Sequence, residues 1–335
     1  MVNIASTMQA ITLGEVGDDF SLVKQEMPTP QRKESELLIR VEYVGLNPID
    51  AKLAKHGFPD WQYPHILGLD AVGTVVDAPV GVSPNIGDRV MWHANIKQQG
   101  MLANYVAVPN FAVSKLPEGL APEVAAALPC AGMAAIFALD KLQIQEGENL
   151  LIDAGAGAVG QFAIQFAKQR GATVFTVSAK NTHAYLKKIG ADKCFDYNDK
   201  NLLKKFKLAL GHSQFDAVVD TVGGANTIRN IELLRFCGRI ACLNGLPELP
   251  SSLLFYKAPV INIVSLSGAW LTESLCAQQK MSFMGNLLMN SVNDGSIKAP
   301  SIIPVSFEAE EITQALKQQL KGCVFGKQVV QVPTQ

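Results

Sequence analysis

A chain of 335 residues is long enough for about two domains, and 48% hydrophobic against 18% charged residues marks a well-cored globular chain rather than a disordered one. A formal net charge of −1 offers no basic face to nucleic acid or to an anionic membrane. No stretch approaches the roughly 18 uninterrupted apolar residues of a membrane span, and the N-terminus lacks the charged and apolar regions of a signal peptide.

Residues 1–120 read as β-rich. "LLIRVEYVG" (37–45) alternates, with Ile39, Val41 and Tyr43 on one face and Arg40 and Glu42 on the other. "LDAVGTVVDA" (69–78) and "GDRVMW" (87–92) are further strands set off by Gly, Pro and Asp. The character changes after Pro129. "ENLLIDAGAGAVGQFAIQFAKQRGATVFTVSAK" (148–180) is strand, glycine-rich turn, helix and strand, with Val159, Phe162, Ala163, Phe166 and Ala167 at helical spacing and Gly171 closing the helix. Strands at "KCFDY", "FDAVVDTVG" and "GRIACLNG" alternate with helical segments, which predicts a parallel sheet covered on both faces. "LKKFKLAL" (203–210) is a basic amphipathic patch that reads as a solvated helix face. "EAEEITQALKQQL" (308–320) is an amphipathic helix with Ile312, Leu316 and Gln319 or Leu320 in register. "GKQVVQV" (326–332) is a final strand that needs an existing sheet, so it is expected to pair back with the N-terminal domain. The cysteines, at 130, 194, 237, 242, 276 and 323, show no CxxC or cluster and read as free thiols in a reducing cytosol.

Gly155-Ala156-Gly157-Ala158-Val159-Gly160 fits G-x-G-x-x-G in the setting that gives the pattern meaning, after an apolar strand and at the start of a helix. Gly155 is assigned the tight turn, Gly157 the close approach of backbone to a pyrophosphate, and Gly160 the packing of helix on strand. The helix N-terminus adds free N–H groups and the positive end of its dipole. No acid occurs from Gly171 through Ala191, where an NAD site carries one for the ribose hydroxyl. Ser178 and Lys180 stand there instead and suit a 2′-phosphate, which argues for NADP(H).

"GLNPIDAK", "PHILGLDAVGTVV", "GDRV", "LPCAGMAAIFAL", "AGAGAVGQFAIQFAK", "GAD", "FDAVVDTVGG" and "GKQVV", in this order, resemble the medium-chain dehydrogenase/reductase superfamily. Within it they look most like the zinc-free quinone oxidoreductase branch, related to zeta-crystallin and the enone reductases. The resemblance implies an α/β Rossmann domain, a doubly wound parallel sheet, plus a β-rich GroES-like catalytic domain. It divides the chain into 1–125 (catalytic domain, first part), 126–268 (Rossmann, NADP-binding) and 269–335 (return to the catalytic domain). It implies a homodimer or homotetramer, with "APVINIVSLSGAWL" (258–271) apolar enough to serve as the joining edge.

The resemblance also implies roles. In zinc alcohol dehydrogenases a cysteine ligand sits where Asn47 sits here, and the histidine ligand that follows a glycine is replaced by Leu69. Cys130 alone is a candidate thiol, short of the three protein ligands of a catalytic zinc, so no metal is expected. Asn47 is assigned to orienting a carbonyl or the nicotinamide ribose. Lys52 is either a donor to a reduced oxygen or a surface lysine, and Asp50 fixes the turn. Cofactor contacts carry over to Tyr197, Val222, Asn244, Gly245, Leu246 and Ser267. Lys327 is set beside a cofactor phosphate, with a solvated strand lysine as the equal alternative, and Trp92 and His93 are set facing substrate. The expected activity is a cytoplasmic, NADPH-dependent and zinc-independent transfer of a hydride to a quinone or to an enone or enal. The alternatives are a zinc-type alcohol dehydrogenase, or a binding protein that holds NADPH without catalysis.

Overall fold

The alternating segments of the N-terminal third pair antiparallel, as strands with one wet face do. Glu36–Gly45 is the central strand, flanked by Asp70–Asp77 and Lys327–Gln331, with Tyr105–Pro109 also on it. Arg89–His93 and Ser114–Lys115 extend this sheet on one side, and Ile302–Ser306 closes the other by pairing parallel to Lys327–Gln331. A smaller sheet runs Leu22–Pro28, Thr7–Leu13, His65–Ile66. The computed structural model describes residues 4–322 and 324–334. The described residues up to 133 and those from 266 onward form one unit; residues 134–265 form the other. These divisions fall at 133/134 and 265/266, where the sequence reading set 125/126 and 268/269. The terminal strand pairs with Glu36–Gly45 as its lone position at the chain's end requires.

One face of the Glu36–Gly45 strand departs from simple alternation. Val41 pairs with Gly73 and Tyr43 already with Val72, so an extra residue bulges at Glu42. The bulge rotates Tyr43 to a half-buried place and gives the core position to Val44. In the Ala309–Leu320 helix Ile312 and Leu316 are fully buried, while Leu320 at the last turn is 40% exposed.

The second unit has a six-stranded parallel sheet in the order Lys193–Asp196, Thr173–Ser178, Asn149–Ile152, Phe215–Asp220, Leu234–Cys242, Val260–Ile263. Numbered along the chain this is 3-2-1-4-5-6, the doubly wound order whose reversal point lies beside the first strand. Leu150, Leu151, Ile152, Val218 and Val219 are fully buried because helices cover both faces. Between strands run the helices Ala158–Gln169, His183–Lys188, Leu202–Leu210, Ala225–Leu233 and Ser251–Lys257. The lysines of the Leu202–Leu210 helix are exposed, and it docks by Leu202 and Phe206. Among the described residues Lys193–Asp196 and Val260–Ile263 are the two edge strands of this sheet.

Phe206 meets Phe195 and Phe215 edge-on, with ring centroids at 4.7 and 5.5 Å. Its side chain is fully buried, so Phe206→Ala removes both ring contacts and leaves a cavity. The expected loss is about 3–5 kcal/mol in urea unfolding. A loss below about 1 kcal/mol would mean that the cluster collapses around the gap.

No helix among the described residues is long and apolar enough to cross a membrane. The five described cysteines are free; Cys323 lies outside the described residues.

Candidate functional site

Two constellations stand out, one in each unit. In the second unit the carboxyl ends of the parallel strands carry the residues expected to meet a dinucleotide. The first strand ends at Ile152 and turns through Ala154, which takes the left-handed conformation (φ 55°). Ala154 carries the left-handed conformation, and Gly155 follows it inside the turn that the Gly157 N–H closes on the Ala154 carbonyl at 3.0 Å. Gly155 is required for a different reason: a Cβ there would lie 1.9 Å from the Thr176 hydroxyl oxygen. At Gly160 a Cβ would lie 2.6 Å from the Cα of Gly155, so helix and turn can approach only with glycine present. Gly157 is unlike both. A Cβ there meets nothing nearer than the Ala154 carbonyl oxygen at 3.4 Å, so protein packing does not demand a glycine. Gly157 is also the N-cap of the Ala158–Gln169 helix and makes no side-chain cap. A bare backbone at a helix N-terminus, with room above it, fits a pyrophosphate. Ala158 and Val159 are half-buried in that first helical turn.

Around this turn, Ser178 ends the second strand but is buried, its oxygen accepting a bond from the Thr182 hydroxyl at 3.0 Å. Lys180 is exposed at the start of the following turn. Tyr197, past the third strand, is 60% exposed. Val222 is also exposed, and its N–H donates to the fully buried Asp220 at 3.0 Å. Asn244 ties the fourth and fifth strand ends together by donating to the Thr221 carbonyl at 2.5 Å, with Gly245 and Leu246 exposed beyond it. Ser267 falls in the first unit, half-buried at the head of the Gly268–Leu271 helix. Sequence reading missed Asp153, which follows the first strand and accepts from Arg229 at 2.8 Å and Asn230 at 3.1 Å. An acid directly before a glycine-rich turn was the available signal.

In the first unit, the 47–52 segment belongs to a buried polar cluster. Asn47 precedes the Pro48–His56 helix, and its N–H donates to the Asp50 carboxylate at 2.8 Å. That bond gives Asp50 the turn-fixing place expected of it. The Asn47 amide donates to Asp70 at 2.9 Å and to the Gly45 carbonyl at 3.2 Å, and its oxygen accepts from the Lys327 ammonium. Lys327 lies 3.3 Å from Asp70. His93 Nδ1 lies 2.7 Å from the other Asp70 oxygen, and the Cys130 N–H donates to both oxygens at 3.1 and 3.0 Å. Antiparallel pairing explains the meeting: His93 sits opposite Asp70 and Gly45 opposite both Asp70 and Val329.

Lys327 is only 3% exposed. It is not a solvated strand lysine, and its ammonium is engaged by Asn47 and Asp70. Lys52 points away on the exposed face of its helix. Trp92 is fully buried, its indole N–H 3.1 Å from the Met101 sulfur, on the strand face opposite His93. The cluster therefore unites Asn47, His93 and Lys327, adds Asp70, and leaves out Lys52 and Trp92. An acid inside the apolar run "ILGLDAVGTVV" was the signal for Asp70.

Burial alone would push the Asp70 carboxyl up, but the Lys327 charge and the His93 and Asn47 bonds outweigh it and hold the group below its usual range. Burial, and then the charge of Asp70, push the Cys130 thiol up. The same two causes raise Asp50 to about 7, and one of its oxygens has no partner. A raised folded-state value means the group favours the folded state most below 3.8 and loses that contribution as pH rises through about 7. Asp50→Asn is expected to flatten this fall in the urea midpoint between pH 4 and 7, relative to the unsubstituted chain. Parallel midpoint curves for the two would rule out this titration.

Comparison with known proteins adds to this geometry. Residues 33–118 match the alcohol dehydrogenase GroES-like domain family and residues 158–286 the zinc-binding dehydrogenase family. Zinc-type alcohol dehydrogenase-like proteins of Staphylococcus aureus are 32% identical over 206 residues, 58% of this chain, which spans only 59% of their length. The 2-methylene-furan-3-one reductase of Solanum lycopersicum is 31% identical over 256 residues, 73% of this chain and 64% of that one. The structure of a quinone oxidoreductase from Coxiella burnetii superposes with a TM-score of 0.83 at 30% identity, covering 98% of this chain and 100% of that one.

Proposed function

The chain belongs to the medium-chain dehydrogenase/reductase superfamily, on its quinone oxidoreductase branch, and from that premise we propose that it is an NADPH-dependent reductase of a quinone or an α,β-unsaturated carbonyl that works without zinc. The observation that carries the reading is the Lys327 ammonium buried on Asn47 and Asp70. A catalytic zinc takes three protein ligands and keeps an open position. Here both Asp70 oxygens are already engaged and a cation is in place. These residues do not fit zinc. Without a metal to polarise an alcohol, oxidation of a simple alcohol is disfavoured, whereas a quinone or enone is electrophilic through its own conjugation.

The Gly157 cradle fits a dinucleotide. When bound, NADPH would supply a hydride, and the acceptor would gain that hydride and a proton from water. Lys327 has three N–H bonds and gives two to Asn47 and Asp70, so one is left to face a developing oxyanion. Asn47 has both amide protons committed and serves to hold that ammonium in place. Exposed Lys180 is the group placed for the 2′-phosphate. Lys180→Glu is expected to lower the NADPH-over-NADH ratio of kcat/KM by about tenfold or more, the size of a hydrogen bond to a charged group. An unchanged ratio would remove Lys180 from the cofactor site. The tomato and Coxiella proteins supply the two acceptor classes by their names. We place the enzyme in the cytoplasm, as a homodimer or homotetramer joined through the open Val260–Ile263 edge.

The test is NADPH oxidation by chelator-dialysed protein, with one quinone and one enone as acceptors. Turnover that survives chelation and prefers NADPH is expected. Activity that disappears and returns with zinc overturns the reading, and tight NADPH binding without turnover on either acceptor points to a binding protein.

A further inference from the structure

The first unit holds a cavity of about 250 Å³ that none of the residues around Asp70 lines. The smaller sheet supplies Met8, Met27 and Ile66 to its wall, and the Tyr105–Pro109 strand supplies Tyr105 and Ala107. Register places one acid among them. Glu36 pairs with Pro109, Leu38 with Ala107 and Arg40 with Tyr105, so Glu36, Ala107 and Tyr105 project from one face of the sheet. The short Ala107 side chain leaves room between the Tyr105 ring and the Glu36 carboxylate.

Glu36 is 7% exposed. Its Oε2 accepts from the Lys33 N–H at 2.9 Å, and among the described residues no basic side chain forms an ion pair with it. A carboxylate held so far from water is costly without a counter-charge. Met8, Ile66 and Tyr105 are each no more than 5% exposed, so the wall facing that carboxylate is apolar. We propose that this cavity binds a small apolar primary amine, with its ammonium on Glu36 Oε1 and its hydrocarbon against Met8, Ile66 and the Tyr105 ring. A cavity of about 150 Å³ already accepts a benzene ring, so this one has space for a ring and a two-carbon amine arm. A hard metal ion does not suit it, because such ions take six or more oxygens and Glu36 is the one acid in the wall. Lys33, at the rim, is exposed and its charge is screened by solvent. The inference is independent of the reductase reading.

The experiment is calorimetric titration of the full chain at pH 7 with 2-phenylethylamine and with 2-phenylethanol, which share a shape and differ in charge. The amine is expected to bind once per chain, about tenfold or more tighter than the alcohol, the size of a hydrogen bond to a charged group. Saturating NADPH is expected to leave that affinity unchanged. Glu36→Gln keeps an acceptor for the Lys33 N–H and is expected to bring the amine down to the affinity of the alcohol. Ala107→Leu fills the cavity and is expected to abolish binding of both; should its melting curve show it unfolded, Glu36→Gln decides. No binding of either compound, or equal affinities for the two, overturns the proposal. So does an amine preference that survives Glu36→Gln, binding that survives in folded Ala107→Leu, or displacement of the amine by NADPH. Failure of the reductase reading shows separately, as absent NADPH oxidation.

Discussion

Asp70→Ala is expected to destabilise the chain by about 3–5 kcal/mol, the usual consequence of removing one partner of a buried ion pair. The carboxylate receives Lys327, Asn47, His93 and the Cys130 N–H, and the side chains of the first three sit in residues no more than 3% exposed. The largest part of the loss comes from Lys327, left charged and 3% exposed. Adding Lys327→Met to Asp70→Ala is therefore expected to recover much of the stability, because the double variant buries no bare charge. Urea unfolding of the four members of this cycle measures it. An Asp70→Ala loss within about 0.5 kcal/mol, the range of an ordinary surface change, would show that the cluster is wet and the ion pair weak.

The second large effect is expected on binding alone. Gly157→Ala places a methyl group where no protein atom is nearer than 3.4 Å, at a backbone geometry (φ −67°, ψ 159°) open to any residue. Stability is expected to stay within about 0.5 kcal/mol of the parent. NADPH binding is expected to weaken about tenfold or more, equivalent to about 1.4 kcal/mol, because the methyl enters the space left for the pyrophosphate. Calorimetric titration and a melting curve on one preparation separate the two effects. Unchanged affinity would move the dinucleotide away from this turn. Gly160→Ala is the contrasting control: its Cβ would collide with backbone at 2.6 and 2.7 Å, so stability is expected to fall as well.

Local pattern was enough to read much of the second unit. The glycine-rich turn, the alternation of strand and helix, and the Phe162–Phe166 helical spacing are short-range signals, and each corresponds to the element expected. The return of the final strand was legible because a lone strand must pair somewhere. The burial of Lys327 was not legible because its partners, Asn47 and Asp70, lie 280 and 257 residues away, beyond any sequence window. The Glu42 bulge was hidden for a related reason. Period-two alternation assumes equal steps on both strands, and only the partner strand reveals the extra residue. Trp92 and His93, adjacent in sequence, were read as one pocket wall, although neighbours on a strand face opposite ways.

The pairing of Lys327–Gln331 with Glu36–Gly45 sets an order on biosynthesis. While the ribosome is still adding the intervening residues, Asp70 has been made but its lysine has not. The nascent first unit cannot close around that carboxylate until residue 327 emerges, whereas residues 134–265 hold their whole parallel sheet in one continuous stretch. The inserted unit can fold on emergence, and the unit that begins the chain matures last.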